Sequence, residues 1–136
     1  MILTGKELNM KKMTYLLYVI GLIQIVLGLF YLFAPAFFLK SIGHTIPQAD
    51  IFYPLAMLAA RFIAYGTALL YIAKEPLKYI LWIKFMVLIQ LIDLASGVFY
   101  TLSGVVNITD SAFPMFNATW MIVLLLLWMP KDTDKI

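Results

Sequence analysis

Four separate stretches of this chain, residues 14–34, 54–73, 77–103 and 113–129, are each apolar for long enough to cross a bilayer, and this limits the available folds more than anything else. Crossing the roughly 30 Å hydrocarbon core takes about 20 apolar residues in a helix. Inside that core every backbone N–H and C=O must be satisfied within the protein, which a helix achieves alone. Composition points the same way, with 64% hydrophobic and 12% charged residues in a chain of 136. A soluble domain carries about a quarter charged residues. The sequence therefore predicts an all-α membrane protein, a four-transmembrane-helix up-down bundle in a single domain, with a short interfacial segment between helices 1 and 2.

The ends of the stretches carry their own signals. Pro35 closes the first, Glu75 and Pro76 mark a tight turn, Pro114 suits the first turn of the fourth helix, and Pro130 follows it. Lys11 and Lys12 ahead of the first stretch resemble a secretory leader, but the apolar run exceeds the 7–15 residues of a signal core. It is expected to be retained.

Orientation follows from lysine and arginine, which collect on cytoplasmic flanks. Lys6, Lys11, Lys12, Lys74, Lys78, Lys131 and Lys135 fall on one side and Lys40 alone on the other, so both termini are expected in the cytoplasm. The membrane is expected to be the cell membrane, of the bacterial inner type. Tyr15, Tyr18, Tyr71, Tyr79, Trp82 and Trp128 lie near the inner boundary, as the headgroup preference of Tyr and Trp requires. Lys84 is close enough to that boundary to extend its stem to it. Residues 36–53 form the one long connection, where Phe37, Phe38, Leu39 and Ile42 alternate with Lys40 and Ser41 before Gly43. That mixture predicts a short helix lying in the outer interface, ended by the glycine.

Several kinds of chemistry are excluded. The chain has no cysteine, so thiolate metal sites, disulfides and thiol redox couples are absent. Its net charge of +3 is not arranged as a basic stripe with interleaved aromatics, which argues against nucleic acid. No GxSxG elbow, HExxH helix or phosphate-binding glycine loop occurs. His44, the one histidine, lies in the outer loop and has no metal-ligand spacing around it, so no metal is expected.

Candidate functional residues come from the cost of charge in oil, about 2.5–3.5 kcal/mol per ionisable group on insertion scales. Arg61 lies about 10 Å, and Asp93 about 15 Å, below the outer boundary at 1.5 Å per residue. Their helices are antiparallel neighbours in sequence, which predicts that the two charges meet. Gln24, Gln90, Tyr65, Asn117 and Tyr100 fall near the same depth, so every helix offers a polar group to one layer. Such groups serve two ends. They act as interhelical hydrogen-bonding contacts, worth about 0.6 kcal/mol each on average, or they line a ligand or proton site. Gly21, Gln24, Gly28 and Tyr31 share a face of the first helix, a spacing that lets a neighbouring backbone approach closely.

The run Gly28-Leu-Phe-Tyr-Leu-Phe-Ala-Pro35, the pair Arg61 and Gly66, and the Glu75-Pro76 turn resemble the DoxX-like superfamily of small four-helix membrane proteins, including its BphX-like members. The resemblance spans nearly the whole chain and rests on apolar patterns punctuated by Pro, Gly and one Arg. It implies the four-helix layout, with Arg61 at the position of the family's second-helix arginine. Some members are linked to quinone-coupled sulfur oxidation or thiol stress, and the lack of cysteine speaks against a thiol role here.

Three functions are compatible with these residues. The first is a binding or accessory protein that holds a small amphiphile, a quinone or lipid, in the polar cluster, or docks as a subunit of a larger membrane complex or homo-oligomer. The second is a membrane enzyme or redox component in which Asp93 exchanges protons and Arg61 holds an anionic or carbonyl group. The third is transport by a homo-oligomer, for which four helices without half-helices give little room.

Overall fold

The computed structural model describes residues 4–130, which form five α-helices and two 3₁₀ turns and, among the described residues, no strand. In chain order these are α1 (Gly5–Phe33), α2 (Pro35–Ser41), a 3₁₀ turn (Ala49–Ile51), α3 (Phe52–Ile72), a second 3₁₀ turn (Pro76–Tyr79), α4 (Ile80–Leu102) and α5 (Ile108–Leu127). Among the described residues, four helical segments, Gly5–Phe33, Ala49–Ile72, Pro76–Leu102 and Ile108–Leu127, are long and apolar enough to cross a membrane. Large apolar side chains such as Leu22, Val26, Leu81, Phe85, Leu88, Ile92 and Val123 are exposed along them, as a lipid-solvated surface requires. The chain is an all-α membrane protein.

Two of the helices, α1 and α5, begin well before their apolar stretches. α1 begins at Gly5 rather than at residue 14 because its first turn is closed before the oil begins. The Thr4 backbone N–H donates to Glu7 Oε2 at 2.9 Å and the Glu7 N–H reaches Thr4 Oγ1 at 3.4 Å, a capping box that satisfies otherwise orphaned donors. α5 likewise starts at Ile108, after extended Asn107, whose carbonyl takes the N–H groups of Asp110 and Ser111. Pro114 consequently lies inside the helix and not in its first turn, which corrects the sequence expectation. Asp110 sits in that first turn, where a negative charge favours the helix dipole. Lys131 and Lys135 lie outside the described residues.

Contacts divide the chain into two compact units, Met1–Leu17 with Ile72–Ile136, and Tyr18–Tyr71. In the second of these, α1 and α3 are antiparallel and very close. A Cβ placed on Gly21 would lie 2.9 Å from the Gly66 carbonyl oxygen, and one on Gly28 would lie 3.0 Å from that of Ala59. Seven residues along α1 therefore match seven back along α3. The small residues permit this backbone approach, as the shared glycine face suggested. α2 turns back on the same helices through an aromatic cluster: Phe38 stacks on Phe30 at 5.3 Å and meets Tyr31 edge-on at 5.0 Å, while Tyr31 stacks on Phe62 at 5.9 Å. Phe37 and Lys40 face outward, consistent with an interfacial helix.

The unit built on α4 and α5 is an antiparallel pair with the register fixed at two points. Gly97 packs on Met115, and Thr101 meets Ser111, so four residues forward on α4 match four back on α5. Its buried side chains are Ile80, Ile83, Met86, Val87 and Gln90 on α4 and Ala118, Met121, Ile122 and Leu125 on α5, together with Ser111. No residue of α4 beyond Gln90 is buried. The start of α1 joins this unit, with Met13 and Leu17 fully buried and Lys12 Nζ 5.6 Å from the centre of the Trp128 ring.

Candidate polar site within the membrane span

The helical period sorts the expected polar cluster into two kinds of position. On α1, Gln24 lies three residues after Gly21 and four before Gly28, which puts it on the seam facing α3, and it is buried to 3% exposure. On α4, Gln90 continues the row of Gly97 and Thr101 that faces α5, and it too is 3% exposed. Each amide thus belongs to the interior of its own helical pair. Among the described residues, no buried side-chain nitrogen or oxygen lacks a hydrogen-bond partner.

The ionisable residues are placed differently. On α3 the residues against α1 are Ala59, Ile63, Gly66 and Leu70. Arg61 is about 200° around the helix from Ala59, and it is exposed, with Nη1 donating to the carbonyl of Met57 one turn earlier at 2.8 Å. Within this unit Arg61 and Gln24 therefore occupy different faces, and Tyr65, one turn beyond Arg61, is half-buried. Asp93 on α4 is exposed as well. It flanks the α5-facing row, and with exposed Ser96 and half-exposed Tyr100 it makes a polar row at helical spacing up the outside of α4. Gly97 and Thr101 form an adjacent row that faces α5.

The α5 contribution is satisfied locally. Asn117 Oδ1 accepts from Trp120 Nε1 at 3.0 Å, a bond between residues one turn apart. The link that sequence reasoning missed is Thr101 with Ser111, whose hydroxyl oxygens are 2.7 Å apart. Thr101 Oγ1 also lies 2.6 Å from the Gly97 carbonyl, and Ser111 Oγ lies 3.1 Å from that of Asn107. Two hydroxyl protons are thus shared among three contacts, which pins the α4 end to the α5 start. Only the coincidence of two small hydroxyls at opposite helix ends could have signalled it.

Arg61 and Asp93 belong to different units. Among the described residues, no group of three or more His, Asp or Glu side chains is gathered as a metal would need. Chemically, the exposed positions offer a guanidinium with donors to spare, a carboxyl group, a serine hydroxyl and a phenol, each set in apolar surface. Comparison with family models, curated proteins and solved structures finds no match to this chain.

Proposed function

We propose that the chain is an integral membrane accessory protein that presents the outer row of α4, Asp93 with Ser96 and Tyr100, to a partner within the bilayer. The observation that supports this reading is the exposure of Asp93 in the middle of a 23-residue apolar helix. A carboxylate left facing hydrocarbon costs about 2.5–3.5 kcal/mol. A helix from another subunit with a donor at that depth removes most of that penalty and hydrogen-bonds the serine and the phenol as well. The exposed Arg61 on α3 offers a second polar contact of the same kind. An amphiphile such as a quinone or lipid, held by its polar head at the same row, is the alternative occupant.

On this reading the membrane is the bacterial inner membrane and both termini face the cytoplasm. Lys6, Lys11, Lys12, Lys74 and Lys78 on one side against Lys40 on the other support that orientation. Kinship with DoxX-like proteins belongs to the same proposal, and the close packing of Gly66 on Gly21 gives one of the residues behind the resemblance a structural purpose.

A photo-reactive phenylalanine analogue in place of Ser96, activated in native membranes, tests the proposal. An adduct to one discrete protein, lost when Asp93 is changed to Asn, is the expected result. An adduct to a quinone or one lipid species would replace the subunit with the amphiphile. Indiscriminate labelling of bulk phospholipid, unchanged by Asp93→Asn, would overturn both.

A further inference from the structure

We infer that the lysine-bearing end of the unit formed by residues 4–17 and 72–130 is a binding surface for the phosphate-bearing headgroups of anionic phospholipids, centred on Lys12 over Trp128. The inference rests on a different part of the molecule from the α4 row and does not depend on it.

Lys11, Lys12, Lys74, Lys78 and Lys84 are all exposed in this one unit. Among the described residues, the acidic side chains of the neighbouring segments are already engaged. Glu7 accepts from Thr4, and Glu75 lies 3.5 Å from Lys78. Among the described residues, Lys12 and Lys74 have no carboxylate partner. Two lysines are held by rings: Lys12 Nζ is 5.6 Å from the Trp128 centroid and Lys78 Nζ is 5.3 Å from that of Tyr79. The indole face attracts the Lys12 ammonium through its quadrupole yet accepts no conventional hydrogen bond, so the Lys12 N–H donors remain for an outside oxygen, whereas Lys78 already engages Glu75 and the Tyr79 side chain.

Depth is fixed by what lies next to each pair. Met13, adjacent to Lys12, is completely buried, and Trp128 follows the last apolar turn of α5. Pro76, which lies between Lys74 and Lys78, is also buried. The ammonium groups thus stand where apolar packing ends, the level at which Trp and Tyr meet headgroups. Cations there attract anionic lipid at about 1 kcal/mol each, which corresponds to about fivefold in affinity.

Trp128 itself is the reporter. In a Trp82→Phe, Trp120→Phe background reconstituted in bilayers, quenching by acyl-brominated phosphatidylglycerol is compared with quenching by equally brominated phosphatidylcholine. The anionic lipid should quench more strongly, and Lys12→Gln should lower its relative affinity about fivefold while Lys40→Gln leaves it unchanged. Raising chloride should weaken the preference in the otherwise unaltered chain, which tests the charge even if a lysine variant folds poorly. Native mass spectrometry of the wild-type protein from an equimolar lipid mixture gives the same reading without tryptophan substitution. Equal quenching by both lipids, or a preference untouched by Lys12→Gln and by chloride, would overturn the inference. So would inorganic phosphate abolishing the preference when chloride of equal ionic strength does not, since that describes a site for free phosphate.

Discussion

A methyl group added at Gly66 would lie 2.7 Å from the Gly21 carbonyl oxygen and 3.0 Å from the Ile25 nitrogen. Both neighbours are backbone and neither can swing aside, so α1 and α3 would have to separate. Gly66→Ala should cost about 1–3 kcal/mol, the usual range for overpacking. Gly97 makes the control. A methyl there meets Cγ and Sδ of Met115 at 2.6 and 3.2 Å, the outer part of a flexible side chain that can change rotamer. Denaturation in detergent, followed by circular dichroism, should show Gly66→Ala losing clearly more stability than Gly97→Ala. The reverse order would mean that the two helices are not held at the closeness that small residues permit. Residue identity also shows how far the polar cluster was readable. The rarity of charge in the spans singled out Arg61 and Asp93, but depth alone did not say which way they face. Gln24 and Gln90 lie on helix seams, whereas Arg61 and Asp93 lie on exposed flanks. That distinction comes from angular position about each helix, and it appears only once the register at Gly21–Gly66 and Thr101–Ser111 is known.

Helix ends show what an element's sequence does and does not reveal. α2 closes with Gly43 at φ 91°, its N–H bonded to the Lys40 carbonyl and the His44 N–H to that of Leu39, the two bonds of a Schellman motif. Gly104 at φ 73° ends α4 in the same way, with bonds from Gly104 to Thr101 and from Val105 to Tyr100. The left-handed backbone costs a residue with a Cβ about 1–2 kcal/mol. Gly43→Ala should therefore loosen the end of α2, speeding amide exchange from Phe38 to His44 by about tenfold while exchange within α3 stays as it was. Unchanged exchange at Leu39 and His44 would mean that the cap is not what ends the helix. The stop at Gly43 was legible because glycine after an amphipathic run has one usual meaning. The starts of α1 and α5 were not. Apolarity reports where oil begins, and a helix extends past that point for as long as its caps hold, to Thr4 with Glu7 in one case and Asn107 in the other. Pro114 misled for the same reason, since a proline seven residues into a helix and one at its start look alike when the boundary is inferred from hydropathy.

At the scale of the whole molecule, the number of spans and the side of each loop are separate questions. Four spans follow from length and apolarity, and an even number returns the chain to the side from which it started. The side depends on lysines that exert their effect during insertion, because cytoplasmic flanks retain positive charge. Since the chain contains no cysteine, single substitutions report position without a background. In intact bacterial cells a membrane-impermeant maleimide should label Lys40→Cys, whereas Lys12→Cys and Lys78→Cys should react only after the cells are opened. Labelling of Lys78→Cys in intact cells, with Lys40→Cys protected, would invert the topology and put the Lys12–Trp128 pair at the outer headgroups. Labelling of both would imply that one apolar helix fails to cross. The helix between those two positions is α3, so that outcome would remove the physical reason for treating the exposure of Arg61 as costly, because a guanidinium on a surface helix has water for a partner and needs no other.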